Sequence, residues 1–316
     1  MTGAWLGLFV GAVVGYFVRR ARLCSFGAIE SALVGHDWRR MKVFGLALAV
    51  AVIGTQSLVL SGWLDPTRTT YVATRFAWLG VLLGALAFGF GMALVGTCAF
   101  GSLIRLGGGD LRSLVTLMVF GTVAYAVLRG GLAAVRIGYV EQIAVEMPDQ
   151  LPGMFSALSR FGPWLAVVAA VLLLGLAIAD RRLWKAPRLM TAGLVLGLGV
   201  IAGWVTTGVM ADEFDTTARV QSLTFVAPVA RALFGLAIGG PNWFDFGVGS
   251  VFGVVAGAFL AARIARDFHW EAFDDPLEMR RHLAGAALMG VGGILAGGCT
   301  IGQGLTAGSL TAVSWP

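Results

Sequence analysis

Gly96-Thr97-Cys98-Ala99-Phe100-Gly101 and Gly297-Gly298-Cys299-Thr300-Ile301-Gly302 are two copies of one short pattern, each standing at the end of a long apolar run. Laying Cys98 on Cys299, a shift of 201 residues (299 minus 98), also brings Gly84 onto Gly285, Gly89 onto Gly290, Gly91 onto Gly292, Gly96 onto Gly297, Gly101 onto Gly302, Gly107 onto Gly308 and Leu94 onto Leu295. Glycine is common, at 46 of 316 residues, but six coincidences in one ungapped window are hard to assign to chance. The chain reads as a duplication whose copies each break a helix just before a cysteine.

The break has a chemical meaning. Glycine before the cysteine lets the helix end and lets a ligand approach bare backbone. The apolar run after it starts a half-helix with the cysteine in or near its first turn, where unpaired N–H groups and the positive end of the helix dipole favour an anion. In lipid such a break is tolerated only where protein or a polar cavity receives the freed backbone groups. Two breaks facing each other across the repeat axis place an anion site near the bilayer midplane. A neutral thiol is a weak donor with a polarizable sulfur, which suits an anion that carries a soft terminal sulfur. Protonated thiols are expected, giving transient S–H···S contacts with no covalent intermediate, because a thiolate would repel the passing anion. Gly96, Gly101, Gly297, Gly298 and Gly302 then supply open backbone, and Thr97, Thr300 and Gln303 supply polar side chains along the way.

Working outward, the remaining sequence places these breaks in a membrane. The chain is 58% hydrophobic and only 13% charged, with a mean hydropathy of +0.83, where a soluble domain has about 25% charged residues. Apolar segments run Ala4–Val18, Val43–Leu60, Ala77–Val95, Leu114–Leu128, Trp164–Ala179, Leu189–Val205, Phe246–Ala262 and Leu283–Ala296, each near the roughly 20 residues a spanning helix needs. Cys24–Val34, Cys98–Leu106 and Cys299–Thr311 are apolar but short, so they read as re-entrant half-helices; Leu223–Ile238 could span, but reading it as re-entrant keeps the alternation of basic and less basic connections. The expected fold is an all-α polytopic membrane protein occupying residues 1–316 as one domain, with inverted repeats at about 1–128 and 189–316 joined by 129–188. The first helix lacks a basic leader and a convincing cleavage site, so it is expected to stay in the mature chain.

The net charge of +6 does not point to nucleic acid, because the basic residues form short clusters beside apolar segments. Arg19, Arg20, Arg22, Arg39, Arg40 and Lys42; Arg105 and Arg112; Arg181, Arg182, Lys185 and Arg188; and Arg263, Arg266, Arg280 and Arg281 mark cytoplasmic connections, which starts the first helix outside. The other connections, 65–75, 130–162 and 212–219, are less basic. Arg22 and Arg105 flank the half-helices and are accessory candidates for drawing an anion in, although setting topology explains each of them better. Glu30 is expected to pair with a basic neighbour, since an unpaired acid on an apolar half-helix is costly. His36, His269 and His282 fall in or beside charged connections and are expected at the interface. Most glycines are expected to serve close helix packing.

A weaker third copy surrounds Cys24, with Gly15 nine residues before it and Gly27 three after. Its partner in the second half, Val205-Thr206-Thr207-Gly208, has no sulfur, so the pseudo-symmetry is broken at one corner.

The motifs GTCAFG and GGCTIGQG at the ends of glycine-rich apolar helices, with the earlier RLCSFGAIES, resemble the YeeE/YedE family of bacterial sulfur-transport proteins across nearly the whole chain. The resemblance implies an hourglass-like fold of inverted halves, with Cys24, Cys98 and Cys299 at three levels of a central path for thiosulfate in the inner membrane. It further implies work alongside a small cytoplasmic sulfurtransferase of the TusA type, which would be a separate chain because no such domain lies within these residues. Other sulfur or selenium species remain open as cargo.

Two other readings stand beside it. Soft-metal passage would use Cys and Met, but paired Cys or Met motifs are missing and half-helix N-termini repel cations. A membrane thiol oxidoreductase would want a CxxC pair, and the three cysteines offer none. Neither a cofactor motif nor a P-loop is present in the sequence, so a transporter without a cofactor or nucleotide-driven step is expected.

Overall fold

Each apolar run forms a helix that stops where the sequence supplies a cap or a charge. The computed structural model describes residues 2–71, 75–146, 162–210, 220–239, 243–312 and 315. Helix α1 (Thr2–Ala21) ends at Arg22, which takes a left-handed φ of +50°. Then follow α2 (Ser25–Leu33), α3 (Arg39–Leu60), α4 (Trp78–Val95), α5 (Ala99–Gly107) and α6 (Leu111–Leu128). Asp110 caps α6 by accepting from the amides of Arg112 and Ser113. A short α7 (Leu132–Val135), α8 (Gly162–Ala179) and a one-turn α9 (Arg181–Trp184) complete the connecting region. Helix α10 (Pro187–Trp204) runs into a π-turn at Val205–Val209; α11 (Ala227–Ile238), α12 (Phe246–Ala265) and α13 (Pro276–Leu295) follow, and a last π-helical segment spans Gly302–Ala307. Among the described residues the strands are two-residue pieces, β1 (Arg75–Phe76) antiparallel to β2 (Val145–Glu146).

All eight expected long segments are helical, and the protein is an all-α polytopic membrane protein. By length and composition, six described stretches suffice to cross a bilayer: Thr2–Leu33, Arg39–Leu60, Trp78–Gly107, Leu111–Leu128, Pro187–Val209 and Phe246–Ala265. The two others fall short for visible reasons. Helix α13 carries Glu278, Arg280, Arg281 and His282 in its first two turns, and the apolar described part of α8 is Trp164–Ala177. Helix α11 has 12 residues, about 18 Å at 1.5 Å per residue against roughly 30 Å of hydrocarbon, so it does not span.

The connections sort to opposite ends of the bundle as the charge pattern predicts. Lys42 reaches Asp180 at 2.5 Å, Arg19 and Arg22 reach Asp267, and Arg112 binds Asp110, Glu271 and Glu278, which ties the basic connections together at one end. At the other end β1 pairs with β2, and Thr69 bridges to Val220, which joins the less basic connections. Exposed Trp5, Trp63, Trp78 and Trp164 lie toward this end and Trp38, Trp184 and Trp270 toward the basic one, where amphipathic rings anchor a helix bundle at its two interfaces.

Glycine sets the helix spacing. Gly7, Gly11 and Gly15 of α1 lie against the backbones of Phe246, Ser250 and Val254, while Gly249, Gly253 and Gly257 of α12 lie against Ala4, Leu8 and Ala12. Three glycines at four-residue intervals on each helix let the two backbones touch. The α4–α13 contact is reciprocal: a Cβ at Gly84 would meet the Gly292 carbonyl at 2.8 Å, and one at Gly91 would meet the Gly285 carbonyl at 2.5 Å. Gly285 and Gly292 are the positions 201 residues beyond Gly84 and Gly91, so matched positions of the two copies pack on each other.

One expectation needs correction. Glu30 is exposed and makes no ion pair among the described residues; the side chain points away from the packed face of α2, so it needs no partner. His282, expected at the interface, lies in the charged first turns of α13 near Glu278, with its ring buried edge-on to Phe273. Gly15 packs on Val254 within α1, and Arg22 takes the left-handed position before Cys24.

Candidate functional site

Three helix starts converge in the middle of the bundle. Cys24 is the N-cap of α2 and Cys98 the N-cap of α5, both in extended backbone. Cys299 precedes the final π-helical segment. The turns before two of them depend on glycine, since Gly96 closes α4 at φ +73° and Gly297 follows α13 at φ +75°, a region that costs any residue with a Cβ about 1–2 kcal/mol. Cys98 Sγ accepts from the Gly101 amide at 3.4 Å, and Cys299 Sγ accepts from the Gly302 amide at the same 3.4 Å. The amides of Ile301 and Phe225 also face the Cys299 sulfur. N–H groups gathered on a sulfur at a helix start also suit an approaching anion.

The depth of these starts follows from the helix that carries them. Beyond the C-terminal end of α5, Gly108 lies beside Arg19 and Gly109 against His269, at the basic end. Nine residues of α5, about 14 Å of helix, separate Cys98 from that end. The Cys24 sulfur lies 3.5 Å from where a Cβ of Gly101 would stand. Cys299 faces Tyr71, from a connection of the less basic end. Cys98 and Cys299 are buried, and Cys24 is partly exposed.

A hydroxyl accompanies each thiol. Cys24 Sγ lies 3.6 Å from Thr97 Oγ1. The Cys98 thiol faces the hydroxyls of Ser25 and Thr300 and lies within electrostatic reach of both Cys24 and Cys299. Ser25 and Thr300 contact each other, Oγ to Oγ1, at 3.2 Å. Near Cys299, the bare Gly302 admits the Thr224 hydroxyl and stands near the Tyr71 hydroxyl. All three thiols are free.

Residues 20–315 match the sulphur transport family along nearly their whole extent. The chain belongs to this family. It is a multi-pass membrane transporter and not an enzyme. Among its relatives, the thiosulfate transporter TsuA of Escherichia coli is 29% identical over 322 residues, covering 95% of this chain and 86% of the relative. TsuA of Spirochaeta thermophila is 28% identical over 321 residues, covering 96% of this chain and 90% of its own. A probable transporter YedE of Salmonella typhimurium is 29% identical over 102 residues, which cover 32% of this chain and 23% of the relative.

The other candidate residues divide. Thr97, Thr300, Gly101 and Gly302 border the thiols. Gly298 packs on the backbone of Gln303, and the Gln303 amide donates to the Ala296 carbonyl at the end of α13. Arg105 donates to the Gly96 carbonyl at 3.2 Å, so it too satisfies the end of a broken helix and is exposed. Arg22 is exposed and pairs with Asp267 at 3.8 Å, away from the thiols. Sequence reasoning passed over Ser25, Tyr71 and Thr224. For Ser25 a signal exists, because a hydroxyl residue follows the cysteine in both Cys24-Ser25 and Cys299-Thr300. Tyr71 lies in a connection and Thr224 just before α11, and tertiary folding alone brings them in. At the fourth corner, Thr207 is hydrogen-bonded to the backbone of Gln221 and Gly203, so its hydroxyl is already occupied.

Proposed function

We propose that this protein is an inner-membrane permease for thiosulfate uptake that passes the anion along a central path lined by Cys24, Cys98 and Cys299. The single observation that carries the reading is the convergence of three cysteine-bearing helix starts, with Cys24 on Thr97 beside Cys98 and its neighbour Ser25 on Thr300 beside Cys299. The relatives named as thiosulfate transporters support the cargo. Residues 1–128 and 189–316 are the two inverted halves that meet at the path, with 129–188 as the connection. At each helix start the amides hold the oxygen end of the anion by dipole and hydrogen bond, worth about 0.3–1 kcal/mol per helix end at exposed sites and more when partly buried. A thiol S–H then meets the terminal sulfur, and the anion moves from one thiol to the next without a bond being made or broken. No single station binds tightly, which keeps release fast. A TusA-like cytoplasmic sulfurtransferase takes the delivered sulfur at the basic end.

The test is growth on thiosulfate as sole sulfur source, with membrane content checked by immunoblot. Cys24→Ala, Cys98→Ala and Cys299→Ala are each expected to abolish growth while the protein stays in the membrane. Normal growth of all three variants would overturn the reading.

A further inference from the structure

The hydrogen bond between Ser25 and Thr300 joins the two halves of the molecule across the site. Ser25 is the first residue of α2, in the first half; Thr300 follows Cys299, in the second. Their hydroxyl oxygens are 3.2 Å apart, a hydrogen-bond distance that leaves no room for any ion between them. The contact sits level with Cys98, whose thiol faces both groups. Ser25 is buried and Thr300 half-buried. Either hydroxyl can donate to the other, and either can instead donate to an oxyanion, because a hydroxyl rotor serves as donor or acceptor at little cost.

We infer that Ser25 and Thr300 form a hydroxyl gate at the level of Cys98, closed when they bond each other and open when both turn to the oxygens of the passing anion. This rests on the permease reading and adds to it the element that opens, together with the reason for its selectivity. The path presents a thiol beside hydroxyls, and a solute with a soft sulfur at one end and oxygens at the other satisfies both sets at once. Chloride, a single atom, cannot span the two hydroxyls and the Cys98 thiol at once, and sulfite, with its sulfur bonded to three oxygens, does not hold a sulfur out at one end as thiosulfate does. Opening for either leaves part of this polar set unmatched in a water-poor site, which is how buried donors discriminate.

The test uses the purified full-length protein in proteoliposomes, with uptake of sulfur-labelled thiosulfate and leak of chloride and sulfite measured side by side. The variants are Ser25→Ala, Thr300→Val, the double variant S25A/T300V, and the hydroxyl-keeping swap S25T/T300S. Losing a hydrogen-bond partner is expected to raise the thiosulfate KM about five-fold in S25A/T300V. Chloride and sulfite leak should rise several-fold in the same liposomes, while S25T/T300S keeps wild-type KM and a low leak. Wild-type KM and wild-type leak in S25A/T300V would overturn the gate while leaving the permease reading in place. Should S25A/T300V fail to incorporate, Thr300→Val alone keeps shape and removes one hydroxyl; a raised KM and leak in it support the gate, and wild-type values overturn it. Absence of thiosulfate uptake by the wild-type protein would overturn the permease reading and the gate with it.

Discussion

Gly292→Ala probes the contact on which the two copies depend. A methyl there stands 2.5 Å from the Gly84 carbonyl oxygen and 2.5 Å from the Phe88 amide nitrogen of α4. Ordinary contact begins near 3.4 Å, so the helices must part by about 0.9 Å (3.4 minus 2.5), and both clashing atoms are backbone that no rotamer change can move. Overpacking of this kind costs about 1–3 kcal/mol. Alanine also gains about 1 kcal/mol over glycine in a helix, which a control must remove. Gly89 of α4 provides it, since nothing lies within 4 Å of a Cβ built there. Unfolding in detergent micelles, followed by tryptophan fluorescence, should find Gly292→Ala less stable than Gly89→Ala by about 1–3 kcal/mol. Equal stability of the two variants would refute the claim that α4 and α13 meet backbone to backbone.

Gly96→Ala tests the left-handed turn before Cys98: with φ at +73° and open space around it, the variant should lose about 1–2 kcal/mol, and Gly96→Asn, which tolerates that region better, should lose less in the same assay. Ser309→Ala removes the acceptor of the buried Trp204 indole N–H, 3.1 Å away, and should destabilise by about 1–3 kcal/mol, read from the unfolding midpoint. Arg112 joins Asp110, Glu271 and Glu278; Arg112→Gln should loosen the 266–275 connection and speed its proteolysis at the basic end. His269 is held above its ordinary value of 6.5 by the Asp267 carbonyl and then by the Glu271 carboxylate. A raised folded value means stability fully present below about 6.5 and lost as pH rises through the raised value. His269→Gln should flatten that decline in melting temperature, and an unchanged pH profile would refute the assignment.

How much of this was legible in the sequence depends on whether one residue carries its own reason. Gly96 and Gly297 could be read because a glycine before a helix start announces a backbone that other residues resist, and the structure puts both at positive φ. The spans could be read because hydrocarbon thickness dictates their length. Arg22 at φ +50° could not, since nothing local marks an arginine for that region. Glu30 misled because sequence shows that a carboxylate lies on an apolar segment and not which face it occupies. Tyr71 and Thr224 come from separate connections and meet Cys299 only through folding. Local chemistry is written in order along the chain, and long-range encounters are not.

The glycine seam between α1 and α12 has a mechanical consequence. Two backbones in contact at three successive turns cannot tilt or slide past each other without collision, so α1 and α12 move as one stiff unit. Motion during a transport cycle is left to the short pieces beside it. Uptake should therefore respond steeply to changes in a few interior side chains and little to bilayer thickness, in contrast to carriers that work by rocking whole halves.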